Sequence, residues 1–142
     1  MTWLIDTNVL SELKKRKPHP GVTRWFQIQP SSGLYLSVLT LGELRKGIYA
    51  MPEGERKTRF SAWLDGEIPS YFSGRILALD AAIADRWGRL CVEAGRPLPA
   101  IDSLLAATAL VHGLALVTRN LGDFELPGLR VANPWQVPPD AH

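Results

Sequence analysis

The chain is poor in the residues that staple or metallate small proteins. It has one cysteine, Cys91, so it cannot close a disulfide within itself or build a Cys-based zinc site. Cys91 falls among helical apolar positions and reads as an inert core thiol. The three histidines, His19, His112 and His142, show no metal-ligand spacing. No segment reaches the ~18 consecutive apolar residues of a membrane helix, so no membrane partner is expected. Asp6 interrupts the first apolar run, which argues against a signal peptide and makes the cytoplasm the expected location. Net charge is small as well. A formal +2 tolerates an anionic partner without announcing one.

What remains is ordinary globular material: 142 residues, 46% of them hydrophobic. A chain of that size buries about two-thirds of its unfolded surface and needs no staples. One domain spanning residues 1–142 is the simplest expectation. Short, continuously apolar runs at 2–5, 34–37, 75–80, 115–118 and 129–131 read as strands. Helical periodicity marks 8–13, 21–29, 40–51, 81–94 and 101–112. Residues 55–72 form one longer amphipathic stretch, with Pro69 near its end. Strands alternating with helices predict an α/β fold with a mainly parallel sheet covered on both faces.

Four acids sit near predicted strand ends. Asp6 follows the first strand, Glu43 lies one turn into the helix after the second, Asp102 heads the alanine-rich helix, and Asp123 follows the strand after it. Each has a simpler reading. Asp6 suits a helix cap, Thr40-x-x-Glu43 fits a capping box, Asp102 suits a first helical turn, and Asp123 suits a tight turn. Strand carboxyl ends share one edge of a parallel sheet, so Asp6, Glu43 and Asp123 should gather there. Placing Asp102 with them needs tertiary information. Converging carboxylates repel, and a hard divalent cation such as Mg²⁺ or Mn²⁺ resolves the repulsion with oxygen ligands. Such a site points to phosphodiester chemistry. Thr7, Asn8, Ser37, Thr118 and Asn120 lie at the same rim as candidate supports, or as caps and turn formers. Lys14-Lys15-Arg16-Lys17, Arg45, Lys46 and Arg56-Lys57-Thr58-Arg59 are candidate phosphate contacts, or simply solvated charge.

Four segments carry a family resemblance. They are Leu4-Ile5-Asp6-Thr7-Asn8-Val9-Leu10, the run Leu36 to Gly47 containing Glu43, Asp102 to Ala109, and Val117 to Phe124. In this order they resemble the successive motifs of PIN-domain ribonucleases, and Asn133-Pro134-Trp135 resembles the FitB-like branch of the VapC toxins. The resemblance implies a three-layer α/β/α sandwich and a Mg²⁺-dependent endoribonuclease, the toxin of a VapBC-like toxin–antitoxin pair, in which metal-activated water attacks RNA. By motif position Asp6 and Asp102 would be the principal metal ligands, with Glu43 and Asp123 completing the acidic site and Asn120 supporting it. Implied partners are RNA, a VapB-like antitoxin and a second copy in a homodimer. Helices carrying Trp25, Phe26 and Trp63 would be candidate dimer surface, or simply core.

Three other readings share parts of this pattern. A haloacid-dehalogenase-type phosphatase wants a second aspartate where Asn8 stands. A receiver domain wants paired early acids and a late lysine, where this chain has Thr118-Arg119-Asn120. A non-catalytic PIN-like module that binds RNA or a partner is the remaining alternative; acids present at all four motifs argue against it.

Overall fold

The computed structural model describes residues 1–136; the Pro-rich end of the chain, His142 included, lies outside the described residues. Five parallel strands form one sheet in the order β3-β2-β1-β4-β5. They are β1 (Trp3–Ile5), β2 (Leu34–Ser37), β3 (Ile76–Leu77), β4 (Ala115–Val117) and β5 (Val131–Ala132). The helices are α1 (Thr7–Lys14), α2 (Pro20–Ile28), α3 (Val38–Tyr49), α4 (Glu55–Ala62), α5 (Ile68–Tyr71), α6 (Ala81–Glu93) and α7 (Ala100–His112). The expected three-layer α/β/α sandwich is the observed one.

Alternation along the strands builds the layers. Ile5, Leu34, Leu36 and Val117 face one core with Val9, Val22, Trp25, Trp63 and Phe72. Leu4 and Leu116 face the other core with Leu90, Leu105, Ala106, Ala109 and Phe124. Truncating a fully buried side chain such as Leu116 to alanine should cost about 2–5 kcal/mol. Small residues on the inner side of α7, with Ala106, Ala107 and Ala109 completely buried, let that helix approach closely. It ends at Gly113, whose φ of 65° is the left-handed C-cap that favours glycine.

β1 is central, and the chain leaves it in both directions: β2 and β3 build outward on one side, β4 and β5 on the other. The crevice between β1 and β4 is therefore the topological switch point, where ligands collect in open parallel sheets. Asp6 and Thr118 stand at its carboxyl rim.

Several expected boundaries shift. Ser37, not Thr40, caps α3: its hydroxyl accepts from the Leu39 amide at 3.0 Å. The Thr40–Glu43 capping box therefore does not form. Thr40 is buried inside the helix, and Glu43 is free for another use. Residues 55–72 are not one regular helix. Between α4 and α5 lies a π turn, Trp63–Glu67, where the Ile68 amide reaches the Trp63 carbonyl. Pro69 follows at once; lacking an amide hydrogen and crowding the preceding turn, it makes the ladder change register. β3 is shorter than 75–80, because the Arg75 amide closes the preceding turn onto the Phe72 carbonyl at 2.8 Å and Asp80 caps α6. β4 stops before Thr118, and β5 starts two residues later than expected. Trp25 and Trp63 are buried in the core and Phe26 is partly buried against it, which is the simpler of the two readings of these residues.

Candidate active site

Asp6 is placed by backbone first. Its amide donates to the Val117 carbonyl at 3.0 Å, the last bond between β1 and β4, and its carbonyl starts α1 by accepting from Val9 at 3.1 Å. The carboxylate is then held from three sides. Oδ1 accepts from the Thr7 amide at 2.7 Å. Oδ2 accepts from the Thr118 hydroxyl at 2.7 Å and from Asn8 Nδ2 at 3.3 Å. The helix-cap reading of Asp6 is thus correct, and it uses only one oxygen.

This carboxylate is 6% exposed, and among the described residues no cation pairs with it. Burial pushes its pKa up from 3.8 to about 6. The bonds from Thr118 and Thr7 pull it back down, and the charges of Glu43 and Asp102 push it up again.

Glu43 comes to the same rim from α3. Its Oε1 accepts from the Thr7 hydroxyl at 2.6 Å, so one residue, Thr7, serves Asp6 with its amide and Glu43 with its side chain. Asp102 sits in the first turn of α7, where no side chain caps the helix. Its carboxyl is also pushed up, by burial first, then by the charges of Asp123 and Glu43. Trp87 steadies that turn by donating to the Ser103 hydroxyl at 2.9 Å, and Ser103 in turn donates to the Ala100 carbonyl at 3.0 Å. Asp123 is exposed in a 3₁₀ turn, Leu121–Phe124, whose amide–carbonyl bond to Asn120 is 3.2 Å. The charges of Glu43 and Asp102 act on Asp6, and those of Asp123 and Glu43 act on Asp102, which places Asp102, left open by the strand pattern alone, beside the other acids.

The supporting residues divide. Thr118 is fully buried and also accepts from the Asn120 amide at 3.1 Å. Asn8 bridges Asp6 and Thr118, and its carbonyl oxygen accepts from the Arg119 amide at 3.2 Å. Ser37 is committed to capping α3 and makes no bond to the acids.

Two contributors escape a reading by strand ends. Asn133 donates to the Arg119 carbonyl at 3.2 Å and accepts from the Trp135 amide at 2.9 Å, while the Arg119 guanidinium lies 5.2 Å from the Trp135 ring centre. This closing segment props the loop that carries Thr118 and Asn120. The Asn133-Pro134-Trp135 motif is its only sequence signal. The second contributor is Ser11, one turn after Thr7 on α1, which lines the groove leading away from Glu43.

The donor set is all oxygen: carboxylates, hydroxyls and amides, with no cysteine or histidine. That chemistry suits Mg²⁺ or Mn²⁺. As the side chains stand, no three acids among the described residues already surround one point where an ion could sit. Mg²⁺ does not require that, because it usually keeps several waters and takes one or two carboxylates. Two acids, Asp6 and Asp102, raised by burial and by the charges of neighbouring acids, with no cation paired to Asp6 among the described residues, fit such an ion.

The PIN domain family model matches residues 3–125. VapC ribonuclease Y4jK of Sinorhizobium fredii is 40% identical over 136 residues, covering 94% of this chain and 97% of that protein. Toxin FitB of Neisseria gonorrhoeae is 35% identical over 135 residues, covering 93% and 97%. The crystal structure of FitAcB from Neisseria gonorrhoeae superposes with a TM-score of 0.90 at 34% identity, covering 96% of this chain and all of that one.

Proposed function

This chain belongs to the PIN domain family, and from that membership we propose that it is a metal-dependent endoribonuclease acting as the toxin of a VapBC-like pair. The observation that carries the proposal is the gathering of carboxylates at the β1–β4 switch point: Asp6, buried without a cationic partner and raised to about 6, feels Glu43 and Asp102, and Asp102 feels Glu43 and Asp123. Relatives named as a VapC ribonuclease and as Toxin FitB, similar over nearly their whole lengths, support the same reading.

Asp6 and Asp102 would be the principal ligands of Mg²⁺, or of Mn²⁺ in its place, with Glu43 and Asp123 completing the site. The bound ion would supply Lewis acidity and a lowered pKa for water, which phosphodiester hydrolysis requires. Thr118, Thr7 and Asn8 hold the Asp6 carboxylate in one orientation. Glu43 is fixed through Oε1, and its Oε2 has no hydrogen-bond partner among the described residues. No covalent nucleophile is called for: Ser37 is used as a cap, and Cys91 lies within α6.

An apolar groove of about 320 Å³ between α1, α2 and the π turn, floored by Leu10, Phe26, Trp63, Ile68 and Phe72, suits an apolar segment of a VapB-like antitoxin. Homodimer formation belongs to the same proposal. With Trp25 and Trp63 buried, its surface would be α3 and the start of α7, where Val38, Tyr49 and Ile101 are exposed.

The test is incubation of the purified chain with single-stranded RNA and Mg²⁺. Cleavage that chelator abolishes supports the nuclease. Intact RNA in the presence of Mg²⁺ and Mn²⁺ leaves the non-catalytic module as the better reading. Growth arrest on expression without an antitoxin tests the toxin role.

A further inference from the structure

Two basic runs far apart in sequence meet in space. Lys14, Lys15 and Arg16 at the end of α1, and Arg56 and Arg59 on α4, line one groove of about 590 Å³. Lys15 is neutralised by Glu12 at 2.8 Å. Lys14, Arg16, Arg56 and Arg59 have no acidic partner among the described residues. Aromatic rings steady two of them: the Lys14 ammonium lies 5.7 Å from the Trp63 ring centre, and the Arg56 guanidinium lies 5.3 Å from that of Phe60. Four cations around one concavity repel one another, and a polyanion relieves that repulsion.

The groove is not isolated. Ser11, Met51 and Phe60 also line the neighbouring groove that opens onto Thr7 and Glu43. Along α1, Thr7, Ser11 and Lys14 share one face, so the first cation stands about 10 Å along the helix axis from the acidic rim. A track thus runs from the acids to the cations across small and apolar side chains.

We propose that this α1–α4 groove binds the phosphodiester backbone of the RNA strand beyond the bond that is cut, with Lys14, Arg16, Arg56 and Arg59 as its phosphate contacts. The proposal rests on the nuclease reading and adds to it the course of the substrate. Contacts of this kind hold the strand in register without reading its bases.

The test measures binding of a fluorescein-labelled single-stranded uridine oligonucleotide across a salt series, with chelator present so that nothing is cut. The wild type is compared with the Lys14→Gln/Arg16→Gln/Arg56→Gln/Arg59→Gln variant and with a charge-matched control outside the groove, Arg86→Gln/Arg89→Gln/Arg96→Gln/Arg130→Gln. Each phosphate contact on a single strand contributes about 0.7 to the slope of log K against log salt. The groove variant should lower that slope by about 2 or more and weaken binding at least tenfold at about 0.1 M salt, whereas the control should change binding less than threefold. Thermal unfolding checks that both variants are folded. Equal losses in the two variants, or an unchanged slope in the groove variant, overturn the proposal and leave the groove to a protein partner. Failure of the wild type to cut RNA would overturn the nuclease reading separately, because the binding comparison needs no cleavage.

Discussion

The Thr118 hydroxyl donates to Asp6 Oδ2 at 2.7 Å across 112 residues of sequence, joining the ends of β4 and β1. That bond spans the point where the sheet changes direction. It favours the ionised form of a carboxylate that burial would otherwise keep protonated. Thr118→Val removes the donor and keeps the shape. Asp6 should then titrate higher, and the acid limb of the pH–rate profile should move to higher pH. Activity at neutral pH should fall about 10–100-fold, as for other groups that orient a metal ligand. A rate loss with an unmoved acid limb would mean that Thr118 only supports the fold.

Asp6 also makes stability depend on pH. Folding raises its pKa from 3.8 to about 6, so the folded chain binds that proton more tightly than the unfolded chain does. The resulting stabilisation is fully present below about pH 4 and is lost as pH rises through about 6. Above that, the buried charge costs of the order of 2–3 kcal/mol. In chelator at pH 7.5, Asp6→Asn should therefore be more stable than the wild type by about 1–2 kcal/mol in urea unfolding, because asparagine caps nearly as well and carries no charge. The difference should vanish near pH 4.

Metal should reverse that balance. Mg²⁺ or Mn²⁺ that binds only the folded chain adds about 2.7 kcal/mol at a concentration a hundredfold above Kd. For a chain of this size that raises Tm by several degrees. The shift should be present in the wild type and nearly absent in Asp102→Asn. Differential scanning calorimetry with and without the ion checks it, and equal shifts in the two proteins would remove Asp102 from the ligand set.

Gly21 tests the far side of the site. A Cβ there would stand 2.8 Å from the Pro134 carbonyl oxygen, closer than real side chains come. Gly21→Ala should push Asn133–Trp135 away from α2 and loosen the loop that Asn133 props through Arg119. A stability loss of about 1–3 kcal/mol in urea unfolding is expected, as for other overpacked contacts. Cleavage should be weakened although no acid has changed.

Residues placed by local rules were legible in the sequence. Asp6 ends an apolar run, and in parallel sheets such ends share an edge, so its place at the rim followed directly. The three-layer fold followed from the alternation of strands and helices. What depends on competition between neighbours was harder to read. Ser37 and Thr40 both suit a helix cap, and Ser37 takes the role because β2 runs directly into the helix there. Pro69 marked a boundary, but not that the ladder would change register before it. Trp25 and Trp63 look alike as surface or core until the helices are docked. The meeting of Lys14 and Arg16 with Arg56 and Arg59 depends on the packing of α1 near α4, for which no local pattern gives a signal.

The most direct measurement is the rate of cleavage of a single-stranded RNA as Mg²⁺ is raised from zero, for the wild type and for Asp6→Asn/Asp102→Asn. The wild type should show no cleavage without the ion and saturable cleavage with it. The variant, shown to be folded by its thermal transition, should be slower by at least a thousandfold at every concentration, since losing two ligands forfeits of the order of 4 kcal/mol of transition-state stabilisation. Cleavage by the folded variant at the wild-type rate would contradict the assignment of these acids to a catalytic metal site.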